Sequence, residues 1–404
     1  MRIDHDGSAV QLTYCTNIHP ANGWDEVIAN LRRYAPALKA HLAPDRPFGL
    51  GLRLSGAESR ELVSGDRLRD FKAYLDQHGL YVLTLNGFPY GPFHGQPVKA
   101  NVHAPDWRAE ERVQYTLRLV EILAGLLPEG IDGGISTNPL TYRSWVDPSD
   151  AAIWRQFVAN LARVATELVR LRRERGVLIH LDLEPEPDGL LDNTADMLRF
   201  FAEWLLPVGA PLLAETLGLT RTAAEEALRE HVRVCLDTCH AAVAFEDPAS
   251  ILDRFEQASI RIGKVQVGSA LEVTFPADGA DRSALAGALR PFANSTYLHQ
   301  VVQRDRDGAL RRYPDLPDAL AAIEDASVAT WRVHFHTPLF VERYAAFRST
   351  QDWIRIMLDL LKQRRAACVL EIETYTWDVL PPDLKVDLVE SITREYAWVL
   401  HVLG

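Results

Sequence analysis

The chain is 404 residues long and 47% hydrophobic, enough for a large core. Its formal charge is −12, from 55 acidic and 43 basic residues, and its densest basic stretch, within VRLRRERG (169–176), reads as the solvated last turns of a helix, so no nucleic-acid partner is expected. No window approaches the roughly 18 unbroken apolar residues of a membrane span, residues 1–7 have no apolar core behind a basic start, and Cys15, Cys235, Cys239 and Cys368 form no CxxC pair, so a cytoplasmic, reducing location is expected.

In chain order, strand-like apolar runs alternate with helical stretches. Strands are expected over 11–17, 48–55, 81–88, 134–140, 178–184, 233–238, 263–268 and 368–374. A helix over 24–41 places Val27, Leu31, Tyr34 and Leu38 at helical spacing, and a shorter one over 68–78 stops at Gly79. The helix over 107–127 stops at Pro128, and the one over 147–176 runs from Asp-Pro to glycine. Helices over 349–365 and 383–403 close the series. Strands alternating with helices imply parallel pairing through crossovers, and eight such units predict closure into a (β/α)₈ barrel spanning 1–404 as one domain. No GxGxxG follows the first strand and no GxxxxGK[ST] occurs, so no phosphate cradle supports a dinucleotide or nucleotide fold.

About a hundred residues separate the seventh and eighth strands. Within them, 297–303 and 309–313 flank Asp305-Arg306-Asp307-Gly308 as a β-hairpin, and a further strand is expected over 331–340. The stretch 269–345 is read as an insertion over the barrel mouth, and long ordered insertions are usually functional.

In such barrels chemistry sits at the C-terminal strand ends. The fifth strand ends LDLEPEPDG, placing Asp182, Glu184 and Glu186 two apart on one face; the sixth ends LDTCH with Asp237 and His240; the seventh carries Gln266; the eighth carries Glu371 and Glu373. Carboxylates there cost several kcal/mol of desolvation unless compensated, and one divalent cation compensates several together. Asp237 alone could be a helix cap, but caps do not account for acids ending three strands. Glu184 is preferred over Asp182, which lies a layer lower, and over Glu186, which reads as exposed between two prolines. Glu371 is preferred over Glu373, which is left for the rim or for substrate.

His94 follows the third strand in a Gly/Pro-rich loop, His299 lies in the hairpin, and His334 and His336 share one face of the extra strand. Each is weighed as a ligand or a substrate contact against the commoner role of a hydrogen-bonded structural histidine. Phe88, Tyr90, Phe93 and Trp377 near the strand ends either stack on a sugar ring or close the barrel top, and Tyr90 and Trp377 are taken with Asn17 as candidate substrate contacts. The cysteines read as small core residues.

These residues, with TYCTNIHP, LNGFPYGPFHG, LDLEPEPDG, CLDTCHAAVAFEDP, GKVQVGSAL, WRVHFHTPLF and LEIETYTW, give the chain a resemblance to the xylose-isomerase-like barrel superfamily of sugar epimerases and endonuclease IV. It resembles more closely the EboE family, described as metabolite-traffic proteins encoded beside a prenyltransferase and a cyclase resembling dehydroquinate synthase. The superfamily pattern implies one divalent metal (Mn, Mg, Co or Zn) on Glu184, Asp237, Gln266 and Glu371. Epimerases generally place histidine where Gln266 stands, so His336 or His240 is an alternative ligand. DTCH is similar to the endonuclease IV motif, which implies a multi-zinc site as a second possibility.

The resulting expectation is a metal-dependent isomerase or epimerase acting on a sugar or cyclitol by enediolate proton transfer between Glu184 and Glu371, within secondary metabolism. The rivals are an endonuclease-IV-like phosphodiesterase, which the net charge opposes, and a non-catalytic metabolite carrier. Helix-rich barrels often form homodimers, but no interface is legible.

Overall fold

The computed structural model contains eight parallel strands at Ser8–Tyr14, Phe48–Arg53, Leu80–Asn86, Gly133–Thr137, Ile179–Leu183, Val232–Asp237, Ile262–Val267 and Val369–Ile372. From the second onward each pairs with the next, and the eighth returns to the first with Glu371 opposite Thr13. A parallel bridge between Cys15 and Gly51 closes the seam. The fold is a (β/α)₈ barrel, with a short strand Arg2–His5 antiparallel on its first strand. The structure describes all residues except 6–7, 96, 277–280, 294–295, 345, 367, 379 and 381–386, so the expected start of the last helix, 383–386, lies outside the described residues.

The strands form where the sequence is apolar without alternation, because helices cover one face and the barrel interior the other. Val232–Asp237, for example, is buried at every position. Several strands stop short of the expected ends. The first ends at Tyr14, bridges once more at Cys15 and turns through Thr16–Ile18, which frees Asn17, like Glu184 and Glu373, to project above the last regular strand residue.

The outer helices carry their boundaries in sequence. Ala151–Arg175 starts under Asp150, whose side chain accepts the Ala152 N–H, and ends at Gly176, whose φ of 70° suits glycine. Its apolar stripe, Phe157, Leu161, Val164, Leu168 and Leu171, is buried. Between the fifth and sixth strands, Thr194–Arg199, the π-helical Phe200–Gly209 and Ala210–Leu217 run on continuously. By length and composition this stretch could cross a membrane, a feature the search for an unbroken apolar run passes over because Arg199 and Glu203 interrupt it. Here it packs on the neighbouring helix, Trp204 stacked on Trp154 with ring centres 5.6 Å apart.

The chain between the seventh and eighth barrel strands builds a six-stranded antiparallel sheet, larger than a hairpin and one strand. Its order is Leu310–Tyr313, Val301–Asp305, Val328–Thr337, Ser269–Thr274, Phe347–Ser349, Arg343–Tyr344. Pairing of Val328–Thr337 with Ser269–Thr274 loses register between Val333 and Thr337. That bulge holds His334 and His336, and bulges re-aim side chains.

Candidate metal centre

Four barrel strands bring Glu184, Asp237, Gln266 and Glu373 together, all at most 5% exposed. The Gln266 amide nitrogen lies 2.9 Å from Glu184 Oε1, 3.1 Å from Asp237 Oδ2 and 2.7 Å from Glu373 Oε2. Two amide hydrogens cannot serve three acid oxygens at once. Oxygens of Glu184, Asp237 and Glu373 fall within 4.8 Å of one another, close enough to share one cation. Glu184 Oε2 and Gln266 Oε1 are buried without a hydrogen-bond partner. Rotating the amide would present Gln266 Oε1 to the same point, so the donor set fits an oxygen-liking divalent metal.

The electrostatics fit a site suited to positive charge. Burial, reinforced by Asp237, pushes the Glu184 carboxyl well above its ordinary range, and burial with Glu184 and Asp237 does the same to Glu373. Against the desolvation that burial imposes, His240, His336 and bonds from Gln266 hold Asp237 below its ordinary range. Asp237 also accepts the N–H groups of Cys239 and His240, so it caps the helix Thr238–Val243 and faces the cluster with its other oxygen. Cap and site are one residue.

Three histidines crowd the rim. His240 Nδ1 lies 3.0 Å from the Pro185 carbonyl, His334 Nδ1 2.7 Å from Gln300 Oε1, and His336 Nδ1 2.5 Å from the Glu373 carbonyl. Gln300 donates its amide nitrogen to the Pro187 carbonyl, which fixes its oxygen toward His334. In the neutral ring each Nδ1 must carry the hydrogen, leaving each Nε2 a lone pair. His240 Nε2 and His334 Nε2 then face one another at 3.1 Å, and His336 Nε2 is buried without a partner. Burial, with His240 and His336 nearby, holds His334 well below its ordinary value, and burial lowers His336 too. Opposed lone pairs are what a cation relieves. Asp237, His240 and His336, and separately Glu186, His240 and His334, are spaced to hold one.

The cleft above these groups has a volume of about 60 Å³ and is walled by Asn17, Asn86, Glu184, Glu186, His240, His334 and Glu373, with Phe88, Phe93, Tyr297 and Tyr375 completing it. Asn17 and Asn86 donate to Glu373 Oε1 at 2.7 and 3.0 Å and so orient it. His94 holds Asn17 from behind, its Nε2 2.6 Å from the Asn17 carbonyl. His299 stands outside the cleft and buttresses His334 through its carbonyl.

Four expected placements change. Glu371 does not join the cluster: its side chain lies in the barrel interior beside Lys264, 2.8 Å away, and Gly51 is required opposite it because a Cβ there would meet Glu371 Oε2 at 1.7 Å. Glu373 occupies the position expected of Glu371. Tyr90 faces the outside against Arg60, Glu111 and Tyr115 rather than the cleft, because its loop lies back over the helix Gly56–Leu62. Trp377 packs on Phe340 beyond the cleft wall. Glu186, expected exposed, is buried in the cleft wall, its carboxyl pushed up to about 8, chiefly by burial. Asn86, Lys264 and Tyr375 went unnoticed, because a lone polar residue in an apolar run carries no signal of its depth in a barrel.

No protein-family model matches the chain and no curated protein does. Among solved structures it is similar to a xylose isomerase-like TIM barrel protein from Mycobacterium smegmatis in complex with magnesium, at 11% identity and a TM-score of 0.48, over 98% of this chain and 96% of that one. It is also similar to the probable 3-DHS dehydratase AsbF of petrobactin synthesis from Bacillus anthracis, at 11% identity and 0.46, over 98% and 99%, and to an IOLI protein with a bound zinc atom, at 13% identity and 0.45, over 97% and 98%. The barrel stands on its own strand register.

Proposed function

We propose that the chain is a metal-dependent isomerase or epimerase of a small polyhydroxylated substrate, a sugar or cyclitol, within a secondary-metabolite or metabolite-traffic route. The observation that carries this is the convergence of three carboxylates and one amide from four strands, with buried oxygens left unpartnered. Glu184, Asp237, Gln266 and Glu373 would hold the metal. When bound, it would polarise a carbonyl and neighbouring hydroxyl and acidify the adjacent C–H.

Glu184 has one oxygen bonded to Gln266 and one open, so it can accept a proton from carbon. Glu373, steadied by Asn17 and Asn86, stands across the cluster and would return it. His240 and Glu186 line the same cleft and would hold substrate hydroxyls. Phe88, Phe93 and Tyr297 wall the cleft and would exclude water from a small bound substrate. The expected result is washing-in of deuterium from D₂O into candidate ketoses and inososes by the metal-loaded protein, lost more than 100-fold in both E184Q and E373Q. Unchanged exchange in both variants would overturn the assignment.

A second reading is a multi-metal phosphodiesterase, favoured by the converging lone pairs of His240, His334 and His336. Zinc counting separates them: two or more tightly held ions per chain favour hydrolysis, one favours isomerisation. A carrier role predicts metal and ligand binding with no deuterium exchange in any substrate.

A further inference from the structure

A second cavity, of about 760 Å³, lies at the opposite end of the barrel. Its wall takes residues from the beginnings of the barrel strands, among them Gln11, Tyr81, His180, Arg233, Ile262 and Val369, so it sits on the barrel axis at the N-terminal face. That face ordinarily serves stability, and the volume falls in the range of small-molecule sites.

The polar equipment is specific. His180 is 2% exposed, and its Nδ1 lies 2.6 Å from Oδ1 of the fully buried Asp182. A carboxylate partner puts the hydrogen on Nδ1 and leaves Nε2 an acceptor in the neutral ring. No hydrogen bond joins Nε2 to another described residue, and His180 lines the cavity. The barrel is emptied to admit this pair: a Cβ at Gly263 would stand 2.0 Å from Asp182 Oδ1, and one at Gly134 2.7 Å from Oδ2. On the neighbouring strand, where Asp182 pairs with Arg233, the guanidinium is held from behind by Nε donating to the Glu230 carbonyl at 2.8 Å. Its terminal nitrogens form a fork suited to a carboxylate. Tyr81, its hydroxyl tied to Gln11, joins Pro47, Ile262 and Val369 in an apolar wall. Arg2 and Arg46 line the cavity with Arg233, against Asp76 and Asp132, which leaves one positive charge in excess, so a single negative charge matches it better than a phosphate dianion.

We propose that the N-terminal mouth of the barrel is a second small-molecule site, for a hydroxylated monocarboxylate with an apolar body, its carboxylate on Arg233 and its hydroxyl donating to His180 Nε2. Such a ligand would act away from the metal centre and leave the acid cluster untouched.

The probe is mandelate, titrated into the full-length protein while the His180 ring nitrogens are followed by NMR and affinity by calorimetry. Saturable binding with a shift of the His180 signal is expected. Phenylethanediol, which lacks the carboxylate, and R233M should each weaken binding at least tenfold, and phenylacetate, which lacks the hydroxyl, about threefold. E373Q should bind as the parent does. Absence of saturable binding, an unmoved His180 signal, or loss of binding in E373Q would overturn the proposal. Should R233M not fold, the phenylethanediol comparison and the His180 signal in the parent protein decide it.

Discussion

Two carboxylates two residues apart on the eighth strand have opposite work. Glu371 neutralises Lys264, whose ammonium it holds well above its ordinary value in spite of burial, while Glu373 completes the acid cluster. E371Q should therefore leave a buried, unpaired lysine and cost about 3–5 kcal/mol of stability, read from urea unfolding, while metal affinity changes little. E373Q should do the reverse, with metal affinity down at least a hundredfold and stability nearly kept. Equal effects of the two substitutions on metal binding would contradict this division. At Gln266 an amide turned to present its oxygen to the cluster would bind zinc less strongly than an imidazole in its place. Q266H should raise zinc affinity about tenfold in a chelator competition, and a weaker complex would argue against Gln266 as a ligand.

At the scale of elements, the inserted sheet is what delivers His334 and His336 to the rim. Its strand Val328–Thr337 is anchored by Trp331, fully buried and donating Nε1 to Gln303 at 2.8 Å. W331A should cost about 3–5 kcal/mol by loss of packing. It should also weaken any second zinc held by His240, His334 and His336, while Glu184, Asp237 and Glu373 still bind one ion. Metal stoichiometry after dialysis checks this; loss of the first ion alongside the second would mean that sheet and barrel site are not separable.

For the whole molecule, the buried acids set a pH dependence. Burial raises Glu186 to about 8 and Glu395 to about 7. Each keeps a proton in the folded chain that the unfolded chain gives up near 4.5, so its contribution is present at low pH and lost as pH rises through the folded value. Burial acts oppositely on His19 and His103, held near about 3, and on His299, near about 4, which favour the folded chain increasingly up to the ordinary histidine value. The two trends offset below roughly pH 6.5. Above it the acids lose their contribution, while the Met1 amine, lowered to about 5 chiefly by burial, still gains up to its ordinary value near 8. The acids' share, about 1–2 kcal/mol lost without metal between pH 7 and 8.5, should therefore show as the difference between the parent and the E186Q/E395Q double variant. Urea midpoints at both pH values test this, and an excess of divalent cation should flatten the slope, since a bound cation takes over from the protons.

The eight strands, the barrel and the meeting of Asp237, Glu184 and Gln266 at its strand ends were legible in the order of residues, because apolar runs ending in acids have few other uses in a barrel core. Which acid on the eighth strand faces the cluster was not. Glu371 and Glu373 share one face by the period of a strand, and only the stagger of strands around the closed barrel sets their heights, beside Lys264 in one case and beside Gln266 in the other. Nor could local sequence reveal that Glu186 is buried, that a bulge turns His334 and His336 toward His240, or that Gly134 and Gly263 open space for His180 and Asp182 at the far end. Periodicity decides which way a side chain points from its own strand, and that much is local. What it meets there depends on strands a hundred or more residues away, and closure of the barrel decides that.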